Sequence, residues 1–182
     1  MPPGNIRLLR LLPPDNTARI QCQLFNYPLQ ETGERACLYE ALSYVWGDLK
    51  KKPHTISIGG YDLPVTANLY AGLLHLRDQL IERILWVDAI CIDQDTPEER
   101  AEQVQLMANI YCKANRVIVW LGEAVANGDR ALNTIRIAAD KESTKSSDHQ
   151  MNQQAILDLL QRPWFQRIWV RAYIFKRIEI SY

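Results

Sequence analysis

The sequence predicts an α/β domain: a mixed, mainly parallel central sheet with flanking helices and an N-terminal antiparallel and hairpin region. Three observations carry this. Two apolar runs, Ile84 to Ile92 and Arg116 to Leu121, have the composition of strands covered on both faces. The segment between them has the signals of a helix start, and strand, helix, strand connectivity implies a parallel, right-handed crossover. Upstream, Gly59-Gly60 separates two short segments, as the loop of a two-residue hairpin does.

Taken in order, Ile6 to Leu12 and Arg19 to Phe25 read as two strands parted by Pro13, Pro14, Asp15 and Asn16, a cluster that excludes helix. Tyr39 to Trp46 reads as a third strand, closed by Gly47 and Asp48 and followed by the solvated lysines Lys50 to Lys52. His54 to Ile58 and Tyr61 to Val65 form the hairpin. Asn68 is placed to cap a helix whose Leu69, Leu73, Leu76 and Leu80 share one face. Ile84 to Ile92 follows as a central strand. Thr96 as N-cap, Pro97 at the first helical position and Glu99 completing a capping box open the next helix, with Val104, Met107, Ala108 and Tyr111 on its apolar face. Asp129 to Lys141 predicts another helix, Glu142 to His149 a polar loop, and Gln150 to Gln161 a further helix. Pro163 then opens one more turn carrying Trp164, Phe165 and Trp169. The N-terminal strands of residues 1–38 belong with a core of residues 39–170, ahead of a divergent tail at 171–182.

With 182 residues, 47% of them hydrophobic, the chain can bury one proper core. Lys plus Arg and Asp plus Glu balance at 21 each, so no overall field draws nucleic acid or an anionic membrane. Apolar stretches such as Val117 to Leu121 fall far short of the roughly 20 residues that span a bilayer. The N-terminus interrupts its leucines with Arg7 and Arg10, unlike a secretory signal. Cys22, Cys37, Cys91 and Cys112 have no close pairing, which fits a reducing, cytoplasmic setting.

No phosphate-binding Gly-rich loop, paired CxxC or ordered Ser/His/Asp set is present, and His54, His75 and His149 are scattered, so no metal site is expected. The chemistry to weigh lies at strand ends. Asp88, read mid-strand beside Ile84, Trp86, Ile90 and Ile92, points into apolar surroundings unless a donor meets it. It is either a structural acceptor or a catalytic carboxylate. Asp93, Gln94 and Asp95 follow at the edge where open α/β sheets bind ligands, although polar residues are also ordinary loop composition. Glu99 suits capping equally well, while Arg100 and Gln103 add polar groups beside it. Ser43, Trp46, Gly47 and Asp48 end a strand with parts able to stack a flat ring and approach a ribose, or simply to pack. Cys91, in an apolar run, lacks the electropositive setting of a reactive thiol.

Two stretches carry a resemblance: Tyr39-Glu40-Ala41-Leu42-Ser43-Tyr44-Val45-Trp46-Gly47, and Leu85-Trp86-Val87-Asp88-Ala89-Ile90-Cys91-Ile92-Asp93-Gln94. Glu99-Arg100 through Gln103, Tyr111 and Val119-Trp120-Leu121-Gly122 follow, then Arg162-Pro163-Trp164-Phe165-Gln166-Arg167-Ile168-Trp169-Val170. In order and spacing these blocks resemble the fungal heterokaryon-incompatibility (HET) domain family over Tyr39 to Val170. The resemblance implies a module of self/non-self recognition and programmed cell death, acting through protein partners or self-assembly. The family is also considered similar to Toll/interleukin-receptor-like domains, some of which cleave NAD. That analogy implies a nucleotide (NAD-type) glycohydrolase with Asp88, Asp93 and Glu99 as its candidate carboxylates and NAD as substrate rather than bound cofactor. Where family members continue with Gln-Glu, this chain has Arg171-Ala172, with Glu179 further on, which implies an altered or truncated end and an inactive member as a third reading.

Overall fold

The computed structural model describes residues 4–17, 19–29, 38–123, 149–166 and 178–181. Residues 4–122 and 178–181 of these fall in one compact unit and residues 123–166 in a second. The helix predicted over Asp129 to Lys141, the loop from Glu142 as far as Ser147 and Asp148, and Cys37, Trp169 and Arg171 lie outside the described residues.

The first unit is built on one mixed sheet whose eight strands run β5-β4-β2-β1-β6-β3-β7-β8. Strands β1 (Asn5–Leu11) and β2 (Gln21–Pro28) pair antiparallel along their length, as their separation by a Pro-rich turn predicts. Asp15 fixes that turn by accepting from the amide and hydroxyl of Thr17. Strands β4 (His54–Ile58) and β5 (Tyr61–Val65) are the expected hairpin, and Gly59 and Gly60 supply its positive φ angles of 57° and 90°. Strand β3 (Glu40–Tyr44) lies between β6 (Arg83–Trp86) and β7 (Arg116–Trp120), parallel to both, and β8 (Ile178–Ser181) runs parallel to β7 at the edge. The parallel half of the sheet therefore runs from β6 to β8.

Helix α1 (Ala67–Leu76) buries Leu69, Leu73 and Leu76 of the predicted face, and Gly72 with them. Its cap is Thr66, whose hydroxyl accepts from the Leu69 amide, so Asn68 is freed for another task. Leu80 is not part of this face; it is 87% exposed. Arg77 leaves the helix with extended backbone and donates to the carbonyls of Leu12 and Pro13, while the Asp78 carboxylate accepts from the Leu80 and Ile81 amides. These local bonds compete with another helical turn.

The predicted strand from Ile84 to Ile92 stops at Trp86. Asp88–Cys91 is instead a helical turn, α2, with the Ile90 and Cys91 amides both donating to Val87 O. Asp88 is thus not mid-strand, and Ile90 and Ile92 do not share a pleat with it. The carboxylate accepts from the adjacent Ala89 amide at 2.8 Å, one of the N–H groups that a helix start leaves without a backbone partner.

Helix α3 (Pro97–Lys113) starts at Pro97 as expected, but no capping box forms. The Thr96 hydroxyl donates to Asp93 Oδ2, and Glu99 accepts from the Asp93 amide. The inward face is also rotated from the prediction: Gln103 and Ile110 are buried, with Leu106, Met107 and Tyr111 partly so, while Val104 is exposed. Gly72 of α1 lies over Trp120, and Tyr111 of α3 meets Trp86 edge-on at 5.5 Å. Register sets Trp120 beside Tyr44 and Trp86 beside Ala41, residues of opposite pleat, so α1 and α3 cover opposite faces. Leu8, Leu9, Leu42, Leu73 and Leu85 are fully enclosed between these layers, each contributing about 1.5–3 kcal/mol.

In the second unit, helix α4 (His149–Leu160) and a tight 3-10 turn (Pro163–Gln166) occupy the positions predicted for a helix and a Pro-opened turn. Trp164 is buried and meets Phe165 edge-on at 5.1 Å.

Candidate functional site

Because β6, β3 and β7 are parallel, their carboxyl ends emerge at one sheet edge, and the polar residues that follow each strand converge there. Gly47 (φ 79°) and Gly122 (φ 94°) turn the chain beyond β3 and β7. Between those turns sits Asn68, from the first turn of α1. Its Nδ2 donates to Val45 O at 2.6 Å, and its Oδ1 accepts from Trp120 Nε1 at 2.9 Å. A Cβ at Gly122 would lie 3.6 Å from Asn68 Oδ1, so the amide fills the space the two turns leave.

Beside this clamp the structure brings together three predicted residues. The Trp46 indole N–H donates to Asp88 Oδ2 at 2.9 Å, and Gln94 Nε2 donates to Asp88 O at 3.0 Å. Asp88 is 6% exposed, and the indole and the Ala89 amide are the donors its burial requires. Trp46 and Gln94 line a cleft of about 180 Å³ whose wall is otherwise largely apolar, with Tyr44, Leu63 and Leu69, and to which Lys52 contributes a charged group.

A second cluster forms around Arg7, whose Nε donates to Cys91 O at 2.9 Å and whose guanidinium is ion-paired with Glu99. The same Glu99 oxygen accepts from the Asp93 amide at 2.9 Å. The Asp93 carboxylate accepts in turn from the Asp95 amide at 3.0 Å and the Thr96 hydroxyl at 2.9 Å. These donors, the Asp95 amide first, hold Asp93 below the usual carboxylate range. Asp93 and Glu99 are thus neighbours, and neither lines the cleft.

The remaining candidates are dispersed. Arg100 is exposed on α3, and Gln103 is buried with its Nε2 donating to Asn5 O at 3.1 Å. Ser43 is half-buried in β3 opposite Val119. Gly47 and Asp48 are exposed, and Asp48 holds its own turn by accepting from the Lys50 amide. Burial pushes the Cys91 thiol up to about 12, which leaves it protonated and unreactive near neutrality.

Sequence reasoning missed Arg7, Asn68 and Lys52. Arg7 had a signal, as a charge inside the apolar strand Ile6 to Leu12. Asn68 had none that was local: Thr66 and Asn68 are both capping residues, and only the fold decides between them. At the opposite, amino edge of the strands, Glu40 is held between Arg83, whose Nε donates at 2.8 Å, and Arg116. Each of the three opens its strand, a pattern readable once the strands are aligned.

Among the described residues no helix is long and apolar enough to cross a membrane, and no three His, Cys, Asp or Glu side chains are placed to hold a metal ion. No solved structure is detectably similar to the chain. Over 162 residues it is 36% identical to Heterokaryon incompatibility protein 6, OR allele, of Neurospora crassa, a match covering 81% of this chain and 23% of that protein. The chain therefore spans about a quarter of that relative's length. Residues 39–171, which hold the Trp46 turn, the Asp88 turn and all of α3, match the model described as Heterokaryon incompatibility protein (HET), and the chain belongs to that family.

Proposed function

We propose that this chain is a cytoplasmic signalling module of fungal self/non-self recognition and programmed cell death, acting by self-assembly or by binding protein partners rather than nucleic acid. Family membership supports the biological role. The observation that carries the mode of action is the employment of the three candidate carboxylates: Asp88 by Trp46 and Ala89, Asp93 by Asp95 and Thr96, Glu99 by Arg7 and Asp93. Each serves as a local acceptor that shapes the sheet edge. Light scattering of the purified chain across a concentration series, alone and with candidate partner proteins, tests this. Growth in mass or a stoichiometric complex is expected, and an inert monomer throughout overturns it.

A second reading, a nucleotide (NAD-type) glycohydrolase, is supported by one feature: an indole fixed by a carboxylate beside a cleft at the ligand edge. In such an enzyme a carboxylate stabilises an oxocarbenium-like ribose while an aromatic side chain holds the base. Incubation with NAD should then release nicotinamide, and Asp88→Asn, Asp93→Asn or Glu99→Gln should slow release in protein that remains folded. Absence of turnover by assembled wild-type protein eliminates this reading.

A further inference from the structure

We infer that the cleft beside Trp46 is a binding site for a small aromatic acid, one or two fused rings bearing a single carboxylate. This goes beyond the assembly reading and stands independently of it. Size sets the first limit. At about 180 Å³ the cleft lies below the roughly 300–1,000 Å³ of pockets that enclose drug-sized ligands, so what it encloses is one ring system and not a whole dinucleotide.

The lining sets the chemistry. Trp46 commits its only side-chain polar atom to Asp88, and the Thr66 hydroxyl oxygen accepts from the Leu69 amide. With Leu63 and Leu69 they leave a predominantly apolar wall suited to a flat ring. Lys52 is the charged residue on the lining, and among the described residues it forms no ion pair. Its neighbour Lys51 is turned to Asp48 at 3.8 Å, and Asp48 also accepts from the Lys50 amide. An ammonium at the mouth of an apolar cleft recognises a carboxylate on an apolar body. Gln94 spends its Nε2 on the carbonyls of Asp88 and Ile92, at 3.0 and 3.4 Å, which leaves its own carbonyl oxygen to accept from a ring N–H. An indole carboxylate meets all three requirements.

The test titrates the full chain with indole-3-carboxylate and with its neutral analogue, indole-3-carboxamide, by calorimetry and saturation-transfer NMR. A charge-assisted contact predicts that the acid binds about tenfold more tightly than the amide. In Lys52→Gln that preference should vanish while weak binding of both compounds persists. Lys51→Gln, which changes the same net charge off the lining, should keep it. Trp46→Leu, verified as folded by circular dichroism, should weaken both compounds about tenfold, the loss of one stacked ring. The proposal is overturned if neither compound binds at millimolar concentration, if acid and amide bind equally to wild type, or if Lys52→Gln and Lys51→Gln behave alike. Light scattering of the same samples reports assembly separately, so failure of one proposal leaves the other readable.

Discussion

A carboxylate as enclosed as that of Asp88 needs donors, and two of them explain its surroundings. The Ala89 amide starts a helical turn where an apolar run would otherwise continue as strand, and the Trp46 indole ties that turn to the end of β3. Asp88→Ala should cost about 1–3 kcal/mol, because it strands the indole N–H without its acceptor. Asp88→Asn keeps a carbonyl oxygen and should cost less. Urea unfolding ranks the two, and an alanine variant as stable as wild type would show the bond to be energetically idle. The buried thiols give a second prediction. Burial raises Cys22 and Cys91 to about 12 from an ordinary 9. In the unfolded chain they ionise first, so the stability they contribute is intact below about pH 9 and is lost as pH rises toward 12. Near neutrality a thiol reagent followed by peptide mapping should label exposed Cys112 in the native protein, and Cys22 and Cys91 only after denaturation.

Among the elements, α1 concentrates the most information. Replacing an interior glycine by alanine usually stabilises a helix by up to about 1 kcal/mol, yet at Gly72 a Cβ would stand 3.2 Å from the Trp120 ring. That ring is held by Asn68, so it cannot tilt away freely. Gly72→Ala should therefore destabilise by about 1–2 kcal/mol. In an Asn68→Ala background the ring is released and the penalty should shrink. A double-mutant cycle measures this coupling, and effects that add within about 0.5 kcal/mol would refute it. The same helix shows what a sequence discloses. Its apolar face was legible from Leu69, Leu73 and Leu76, but its end was not, because Asp78 and Arg77 stop it through bonds that periodicity does not register. The β4–β5 hairpin was legible to the residue, since Gly59-Gly60 dictates both register and turn. Ile84 to Ile92 was misread because an unbroken apolar run suits a buried strand and a buried helical turn alike. For the site, position was legible and partnership was not. Strand ends marked Trp46 and Gln94, and a carboxylate inside an apolar run marked Asp88, but the indole and its acceptor are 42 residues apart, and Arg7 and Glu99 are 92 apart.

The molecule as a whole has to protect two sheet edges, and it does so differently at each. At one, β5 carries Asp62 and Pro64, a charge and a residue without an N–H, which blunt strand pairing. Next to the other, β7 is uncharged from Val117 to Trp120, and Ile118, Val119 and Trp120 are almost wholly buried, so it would have no such defence if it lay outermost. Its protection is β8, drawn from far along the chain and registered from Val117 against Ile178 to Trp120 against Ser181. Ile178 and Ile180 alternate with polar residues as in a strand, but nothing local to the tail says which strand it joins. Removing residues 178–182 should therefore do two things. Loss of the β7–β8 ladder should lower stability by on the order of 2–4 kcal/mol, since each net hydrogen bond contributes about 1 kcal/mol. The bared edge should also offer a row of unpaired backbone groups to other molecules, so that the shortened chain precipitates at concentrations the full chain tolerates. A lower urea midpoint together with turbidity that rises steeply with concentration is the expected pair of results. An unchanged midpoint and a clear solution would mean that β7 needs no cover, and that its burial rests on α1 and the rest of the sheet alone.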